Sequence, residues 1–367
     1  MASLSLPTGL ITACELRDLA KAVRYDPVAA ASVVQQGFLA KLAALLDTGA
    51  APALSSNTKM WVLRLLWCLS KHVQAPYMPA AQPEILVLVL AALREGACGE
   101  HAYACLDAVR ACVSTESGNT EFIIAGGVAV LGSVLARTAC PPMVTFRALN
   151  CMVTLQRWPH NEPLVLARLR TVYAAMAAHK DSVEVQCKGL QLLSAVAADS
   201  AKGLVANRLA ADAVAAARVA MDTHLDSPAV QQYGCQVLGS LPGLLHVSVA
   251  VKLVIRAMSL ESSSCITAGD GCTALYSIMK NAPAQRSLMQ LLCIKFIRGV
   301  RVLHPTCSGV KSMGTRILAY LGDIPADMVS DSGPDDSDSN PDSDSTWESD
   351  AGRGDAVRKP YKRLCVQ

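Results

Sequence analysis

The sequence predicts an all-α protein built from repeated helical units, and three observations lead to that prediction. Apolar residues make up 52% of the 367-residue chain but aromatic residues only 4%, so Ala, Leu and Val supply most of the core. This composition suits closely packed helices and gives little sign of aromatic-rich β structure. The other two observations are a helical spacing of apolar residues that recurs along the chain and the turn residues that precede it.

Two segments of the chain show the same pattern at a shift of 45 residues. Val185-Gln-Cys-Lys-Gly189 corresponds to Val230-Gln-Gln-Tyr-Gly234, and each segment follows a His and a short Asp/Ser loop. With the Gly as reference, apolar residues fall four and seven positions later. This spacing places them on one face of an α-helix.

The same template fits seven reference positions, spaced by 37 to 45 residues. These intervals are close to the period of roughly 40–47 residues that is typical of stacked helical repeats. A small reference residue is expected where neighbouring helices approach closely. The reference positions are Val62, Cys105, Ala148, Gly189, Gly234, Gly271 and Gly314.

A second type of helix precedes the first. Gly37 and Gly126, 89 residues apart, are followed by apolar residues at identical offsets. Pro141-Pro142 and similar turn residues stand just before the repeated helix, where caps and first-turn prolines belong. An irregular helical domain with similar Leu spacing is the alternative, but seven matches in register favour a repeat array.

This two-part pattern resembles the armadillo repeat family over about residues 15–323. The resemblance implies a right-handed α-superhelix (an armadillo-like solenoid) of about seven repeats. We therefore expect an N-terminal extension over 1–14, a helical repeat domain over 15–325, and a disordered acidic tail over 326–367. The resemblance also implies a scaffold that binds a protein partner along the concave groove of the repeats.

The groove face is expected at positions −1, +2 and +6 relative to each reference residue, since +4 and +7 lie in the core. Every +2 residue is polar, and the bases there and at −1 give a mild positive bias. The predicted partner-binding residues are Trp61, Arg64, Arg147, Asn150, Lys188, Gln191, Tyr233, Gln236 and Arg316.

The +6 positions lack a feature of peptide-binding armadillo proteins. In importin α and relatives of β-catenin, +6 is typically Asn, which clamps the ligand backbone, and in importin α +2 is often Trp. Here the +6 residues are Cys68, Ala111, Thr154, Ala195, Ser240, Ser277 and Tyr320. Recognition of nuclear signals in the manner of importin is therefore not expected, whereas a helix or folded partner in the groove remains compatible.

The chain is strongly asymmetric in charge. Residues 327–355 contain ten acidic residues and one Arg, and four bases follow at 358–363. Without them, the 33 bases and 30 acids of the chain become 28 and 20, a net charge of about +8. This charge favours an acidic partner. The bases are not interleaved with aromatics, so direct nucleic-acid binding is not expected.

The acidic tail carries three candidate phosphorylation sites, because Ser332, Ser339 and Ser345 each have an acidic residue three positions later. Acidophilic kinases favour this pattern, and phosphorylation would deepen the negative charge. We expect the tail to modulate partner binding. The alternative is a structural or cargo-linking protein in which the tail itself is the main binding element.

No catalytic, metal or cofactor motif is recognised, and we expect no enzyme activity, no cofactor and no membrane span. The fourteen cysteines are scattered without a Cys-x-x-Cys pair, so we expect them to be reduced and mainly core fillers. Cys105 and Cys112 share one helical stripe but are too far apart to share a metal ion. Together with the lack of a recognisable secretory signal, these features predict a cytoplasmic or nuclear location.

Overall fold

The protein is known from a computed structural model. It describes residues 13–35, 83–95, 99–199, 206–241, 247–260 and 264–324, together with residues 58, 61, 62, 64, 65 and 68. All regular structure in these ranges is helical. The described residues divide into two compact units, residues 1–200 and residues 201–367. The predicted helix after Gly37 and the tail beyond Ile324, with Ser332, Ser339 and Ser345, lie outside the described residues.

The first unit begins with helices α1 (Ala13–Tyr25) and α2 (Pro27–Gln35). Its main body then alternates two kinds of helix. The first kind is represented by α3 (Pro83–Arg94), the short pair α5 (Glu116–Ile124) and α6 (Gly127–Leu135), and the pair α8 (Glu162–Leu166) and α9 (Leu169–Ala178). The second kind, which we call the reference helices, comprises α4 (Gly99–Val113), α7 (Pro142–Gln156) and α10 (Val183–Asp199).

The second unit alternates in the same way. Helices α11 (Ala206–Thr223), α13 (Val247–Ser259) and α15 (Arg286–Leu303) each precede a reference helix. The reference helices of this unit are α12 (Pro228–Ser240), α14 (Cys265–Asn281) and α16 (Ser308–Tyr320).

The packing within each unit explains this alternation. In each unit the reference helices form a layer: α4 contacts α7 and α7 contacts α10 in the first unit, and α12 contacts α14 and α14 contacts α16 in the second. The helix before each reference helix packs against it from the other layer. The apolar residues between the layers include the predicted +4 and +7 positions, such as Met152 and Leu155 of α7 and Leu275 and Ile278 of α14, all of which are buried. The sequence pattern therefore identified the core face of the described reference helices correctly.

The reference glycines mark places of close approach, for a reason that the spacing alone did not show. At each of three reference glycines, an added Cβ would overlap the side chain of a methionine thirteen residues earlier in the preceding helix. The pairs are Met176 with Gly189, Met221 with Gly234, and Met258 with Gly271. The fourth glycine, Gly314, lies against Arg301 in the same relation. A flexible side chain and a missing Cβ thus fit together at the same place in successive helix pairs.

The turns between paired helices also recur. The buried side-chain amide of Gln186 donates to the carbonyl oxygens of Met176 (2.8 Å) and His179 (3.0 Å). In the next pair along the chain, Gln231 donates to Met221 (2.9 Å) and His224 (3.0 Å). Each glutamine thus bonds to two carbonyls at the end of the preceding helix, because one amide group carries two hydrogens.

No single helix among the described residues is long and apolar enough to cross a membrane. Helices α5 and α6 pass that test of length and composition only together, and they are bent by 75° at the break between them. The bend occurs at Gly126, which adopts a left-handed backbone conformation with φ of 73°. Phe122 of α5 and most of α6 are buried in the first unit.

Candidate interaction face

All nine predicted partner-binding residues are described, and all are half-buried. Arg147 and Asn150 lie on α7, Lys188 and Gln191 on α10, Tyr233 and Gln236 on α12, and Arg316 on α16; Trp61 and Arg64 are helical residues in the sparsely described segment before α3. Half-burial places them at the edge of the helix layer rather than in its core. We use the name interaction face for the −1 and +2 positions of the reference helices in each unit.

In the first unit, the interaction face contains a charged contact between adjacent reference helices. The Arg147 guanidinium of α7 donates to the Asp107 carboxylate of α4. The same guanidinium lies 5.1 Å from the centre of the Tyr103 ring, a cation–π distance. Position −1 of one helix is thereby joined to position +2 of the preceding reference helix.

The second unit makes the same positional link with different chemistry. The side-chain amide of Gln236, at +2 of α12, donates to the Asp270 carboxylate, at −1 of α14, over 3.0 Å. Gln232 also hydrogen bonds to Asp270. Burial raises the pKa of Asp270 above its ordinary value, because desolvation of the charged form outweighs the hydrogen bonds from the two amides.

Two further pairs of predicted residues contact each other within one helical turn. The Lys188 ammonium donates to the Gln191 side-chain oxygen over 3.0 Å on α10. The Arg64 guanidinium lies 5.0 Å from the Trp61 ring centre. Arg316 differs, since it makes no hydrogen bond or ion pair with the part of the chain that the structure describes.

An aromatic and cationic cluster in the second unit was not predicted. Tyr276 of α14 and Tyr320 of α16 meet edge to face, with ring centres 6.4 Å apart. Lys280 lies 5.7 Å from the Tyr276 ring centre and Arg286 lies 5.3 Å from that of Tyr320. The 44-residue spacing of the two tyrosines, close to the repeat period, was the available signal. Of the two tyrosines, only Tyr320 stands at a +6 position, and the spacing does not reveal the cations.

The buried cysteines behave as small core residues. Cys105, Cys112, Cys272 and Cys293 are buried, and burial raises the pKa of each thiol to about 12. Burial also raises the pKa of Cys151 and Cys235. A thiol with a raised pKa is seldom the thiolate at neutral pH and is a weak nucleophile. In the described ranges, no three His, Cys, Asp or Glu side chains are grouped so that they could hold a metal ion.

No protein-family model and no curated protein matches the sequence. A crystal structure described as an engineered protein, from the Northeast Structural Genomics Consortium, is similar in fold, with a TM-score of 0.60. The two chains are 17% identical, and the match covers 84% of this chain and 74% of the engineered one. At that identity the similarity supports the fold alone. The chain is thus an all-helical, repeat-like protein, and its two units share the same cross-helix link.

Proposed function

We propose that the protein is a non-catalytic interaction scaffold of the armadillo type, which binds a protein partner along the interaction face. The proposed architecture is the right-handed superhelix of about seven repeats. The recurring helix pairs and the methionine–glycine contacts support it, because they repeat the same packing from one pair to the next. The resemblance of the sequence to armadillo repeats supports it independently.

The observation that carries this proposal is the link between positions −1 and +2, which occurs in both units. Arg147 bonds to Asp107 in one unit, and Asp270 bonds to Gln236 in the other. These side chains are half-buried and join neighbouring helices without belonging to the apolar core. A face whose polar groups are already held in place loses little conformational entropy on binding, which favours a stable complex.

The partner we propose is a protein segment rich in acidic residues. Three basic residues lie on helices of the second unit: Lys280, Arg286 and Arg316. Lys280 lies over the Tyr276 ring and Arg286 over the Tyr320 ring. Arg and aromatic residues are enriched among the residues that dominate binding energy at protein interfaces. The net charge of about +8 outside the tail favours the approach of such a partner.

The remaining parts of the proposal concern activity and location. The half-buried polar residues of the interaction face pair with each other, and burial raises the pKa of the core thiols. Neither group supplies an activated nucleophile or a general base. We therefore propose a protein without enzyme activity or cofactor, which does not bind nucleic acid directly. We also propose a cytoplasmic or nuclear location, where the cysteines would stay reduced.

The test uses two charge reversals on the same helix. Full-length protein, Arg316→Glu and Lys311→Glu would each be used to capture partners, which are then quantified by mass spectrometry. We expect Arg316→Glu to lower capture of a specific acidic partner about tenfold, equivalent to ~1.4 kcal/mol. Lys311 is exposed on α16 away from the −1 and +2 positions, so its reversal should leave capture nearly unchanged.

The same experiment separates the groove from the tail. A variant that lacks residues 326–367 should still capture the partner if the interaction face is the binding element. Loss of capture in this variant, with Arg316→Glu unaffected, would instead make the acidic tail the main binding element. Equal effects of the two reversals would contradict a role for the interaction face.

A further inference from the structure

Two accessible cysteines meet where two neighbouring reference helices begin. Cys265 is the first residue of α14 and is exposed. Cys307 is the N-cap residue of α16 and is half-buried. The two are 42 positions apart in sequence, one helix pair further along the chain, and both belong to the second unit.

The thiols are in direct contact. The Cys307 thiol donates to the carbonyl oxygen of Cys265 over 3.3 Å. The Cys265 thiol in turn hydrogen bonds to the Cys307 sulfur, which raises the pKa of Cys265 to about 11. The Cys265 sulfur therefore keeps its proton, and Cys307 is the sulfur that accepts it in a hydrogen bond.

The backbones of α14 and α16 approach closely beside the two cysteines. Gly269, the fifth residue of α14, faces Gly309, the second residue of α16, and a Cβ built on Gly309 would lie 3.5 Å from the Gly269 Cα. A disulfide requires Cα atoms roughly 4.4–6.8 Å apart. Two glycines in contact next to the cysteines allow the helix starts to approach closely, whereas larger residues would hold them apart.

We propose that Cys265 and Cys307 are a thiol pair that hydrogen peroxide oxidises to a disulfide. The pair joins α14 to α16 and does not depend on the proposed scaffold function. Its exposure distinguishes it from the buried cysteines. Cys272, on the same helix as Cys265, is completely buried. It is the alternative partner for Cys307, and the test must distinguish a bond to Cys272 from a bond to Cys265.

The reaction has two steps that balance. The Cys307 thiolate attacks one oxygen of the peroxide, the O–O bond breaks, and the products are a sulfenic acid and water after proton transfer. The Cys265 sulfur then attacks the sulfenic sulfur, an S–S bond forms, and the hydroxyl leaves as a second water with the Cys265 proton. Two thiols and one peroxide give one disulfide and two waters.

The disulfide would close the loop between residues 265 and 307. Closing a loop restricts the unfolded chain and so stabilises the folded one, provided that the bond is unstrained. We expect the second unit to become more resistant to heat under oxidising conditions and to return to its original stability when the bond is reduced.

The test oxidises reduced full-length protein with an equimolar amount of hydrogen peroxide. Intact mass should fall by about 2 Da, the two hydrogens lost in disulfide formation. Trypsin should yield peptide 257–280 joined to peptide 302–311, and fragmentation should assign the bond to Cys265 rather than Cys272. Tm should rise by roughly 5 °C and fall back after treatment with dithiothreitol.

Serine variants provide the matched controls. Cys265→Ser and Cys307→Ser should each lose the cross-link and the rise in Tm, whereas Cys14→Ser, at an exposed cysteine of the first unit, should keep both. A bond from Cys307 to Cys272 would overturn the assignment. Oxygen addition without a cross-link in the wild-type protein, or an equal yield of cross-link in guanidinium-unfolded protein, would overturn the proposal.

Discussion

At the scale of single residues, burial and the nature of the bonding partner distinguish the two carboxylates that join neighbouring reference helices, Asp107 and Asp270. Asp270 accepts hydrogen bonds from Gln236 and Gln232, yet its pKa is raised because desolvation of the charged form outweighs those bonds. Asp107 occupies an equivalent contact in the first unit but is joined to Arg147, which supplies the opposite charge. The same positional link therefore uses an ion pair in one unit and amide hydrogen bonds in the other.

Asp270→Asn should raise the stability of the protein at neutral pH. The pKa of Asp270 is higher in the folded than in the unfolded state, so its ionisation costs stability as the pH rises above the ordinary carboxyl pKa of 3.8. The cost is complete once the pH exceeds the raised folded pKa. An Asn carries no charge and can still accept the Gln236 hydrogen bond.

The measurement is Tm against pH for the wild type, Asp270→Asn and, as a control, exposed Asp226→Asn. The gap between Asp270→Asn and the wild type should be largest near neutral pH and should close as the pH falls toward 3.8. A gap that widens on acidification would show that hydrogen bonding to the carboxylate outweighs its burial.

At the scale of helices, small residues set how closely neighbouring reference helices approach. Gly239 near the end of α12 faces Ala274 of α14, and an added Cβ would lie 2.6 Å from the Ala274 Cα. The obstacle is backbone, so it cannot be moved by a change of rotamer. At Gly234 the obstacle is the flexible Met221 side chain, which can rearrange more easily.

Gly239→Ala should destabilise the protein by about 1–3 kcal/mol, because α12 and α14 must move apart to admit the methyl group. Gly299→Ala is the matched control, since nothing lies within 4 Å of an added Cβ at this position inside α15. It should stabilise the protein by about 0.5–1 kcal/mol through higher helix propensity. Urea unfolding followed by circular dichroism measures both, and changes of the same sign would contradict this account.

At the scale of the whole molecule, opposite charges are separated along the chain. The ten acidic residues of 327–355 follow a body with a net charge of about +8. If an acidic partner binds the interaction face, as proposed, the tail competes with it for the same positive charge. Phosphorylation of Ser332, Ser339 or Ser345 would strengthen that competition.

Deletion of residues 327–367 should increase affinity for the acidic partner several-fold at low salt. The increase should shrink at moderate salt, because the Debye length falls from about 30 Å at 0.01 M to about 10 Å at 0.1 M. Titration calorimetry of the full chain and the deletion variant at both salt concentrations measures this. Equal affinities at low salt would rule out competition by the tail.

Much of the fold could be predicted from periodicity alone. The +4 and +7 residues of α4, α7, α10, α12, α14 and α16 are buried because a 3.6-residue period fixes which side chains share a helix face. The turn before α7 was predicted for a similarly local reason, since Pro141 is the N-cap residue and Pro142 is the first residue of the helix. Such features depend on residues close together in sequence.

The interaction face could be predicted only in part. All nine predicted residues are half-buried, but Ala104 at a −1 position is buried and Thr273 at a +2 position is exposed. The spacing did not indicate that Arg147 pairs with Asp107 or that Asp270 is held by amides, because these bonds join residues 34 to 40 positions apart. The spacing likewise places Cys265 on one helical stripe with Cys272 and does not indicate its contact with Cys307, which lies 42 positions away.

The sequence by itself determined the helical class, the core face of each described reference helix and the composition of the acidic tail, since these follow from local spacing and residue type. The tertiary structure alone decided which side chains meet across neighbouring helices. Those contacts depend on how closely the backbones approach, and the approach is set by facing pairs such as Gly239 with Ala274 and Gly269 with Gly309. Residues in such pairs are distant in sequence, and only the packing of one helix on another brings them together.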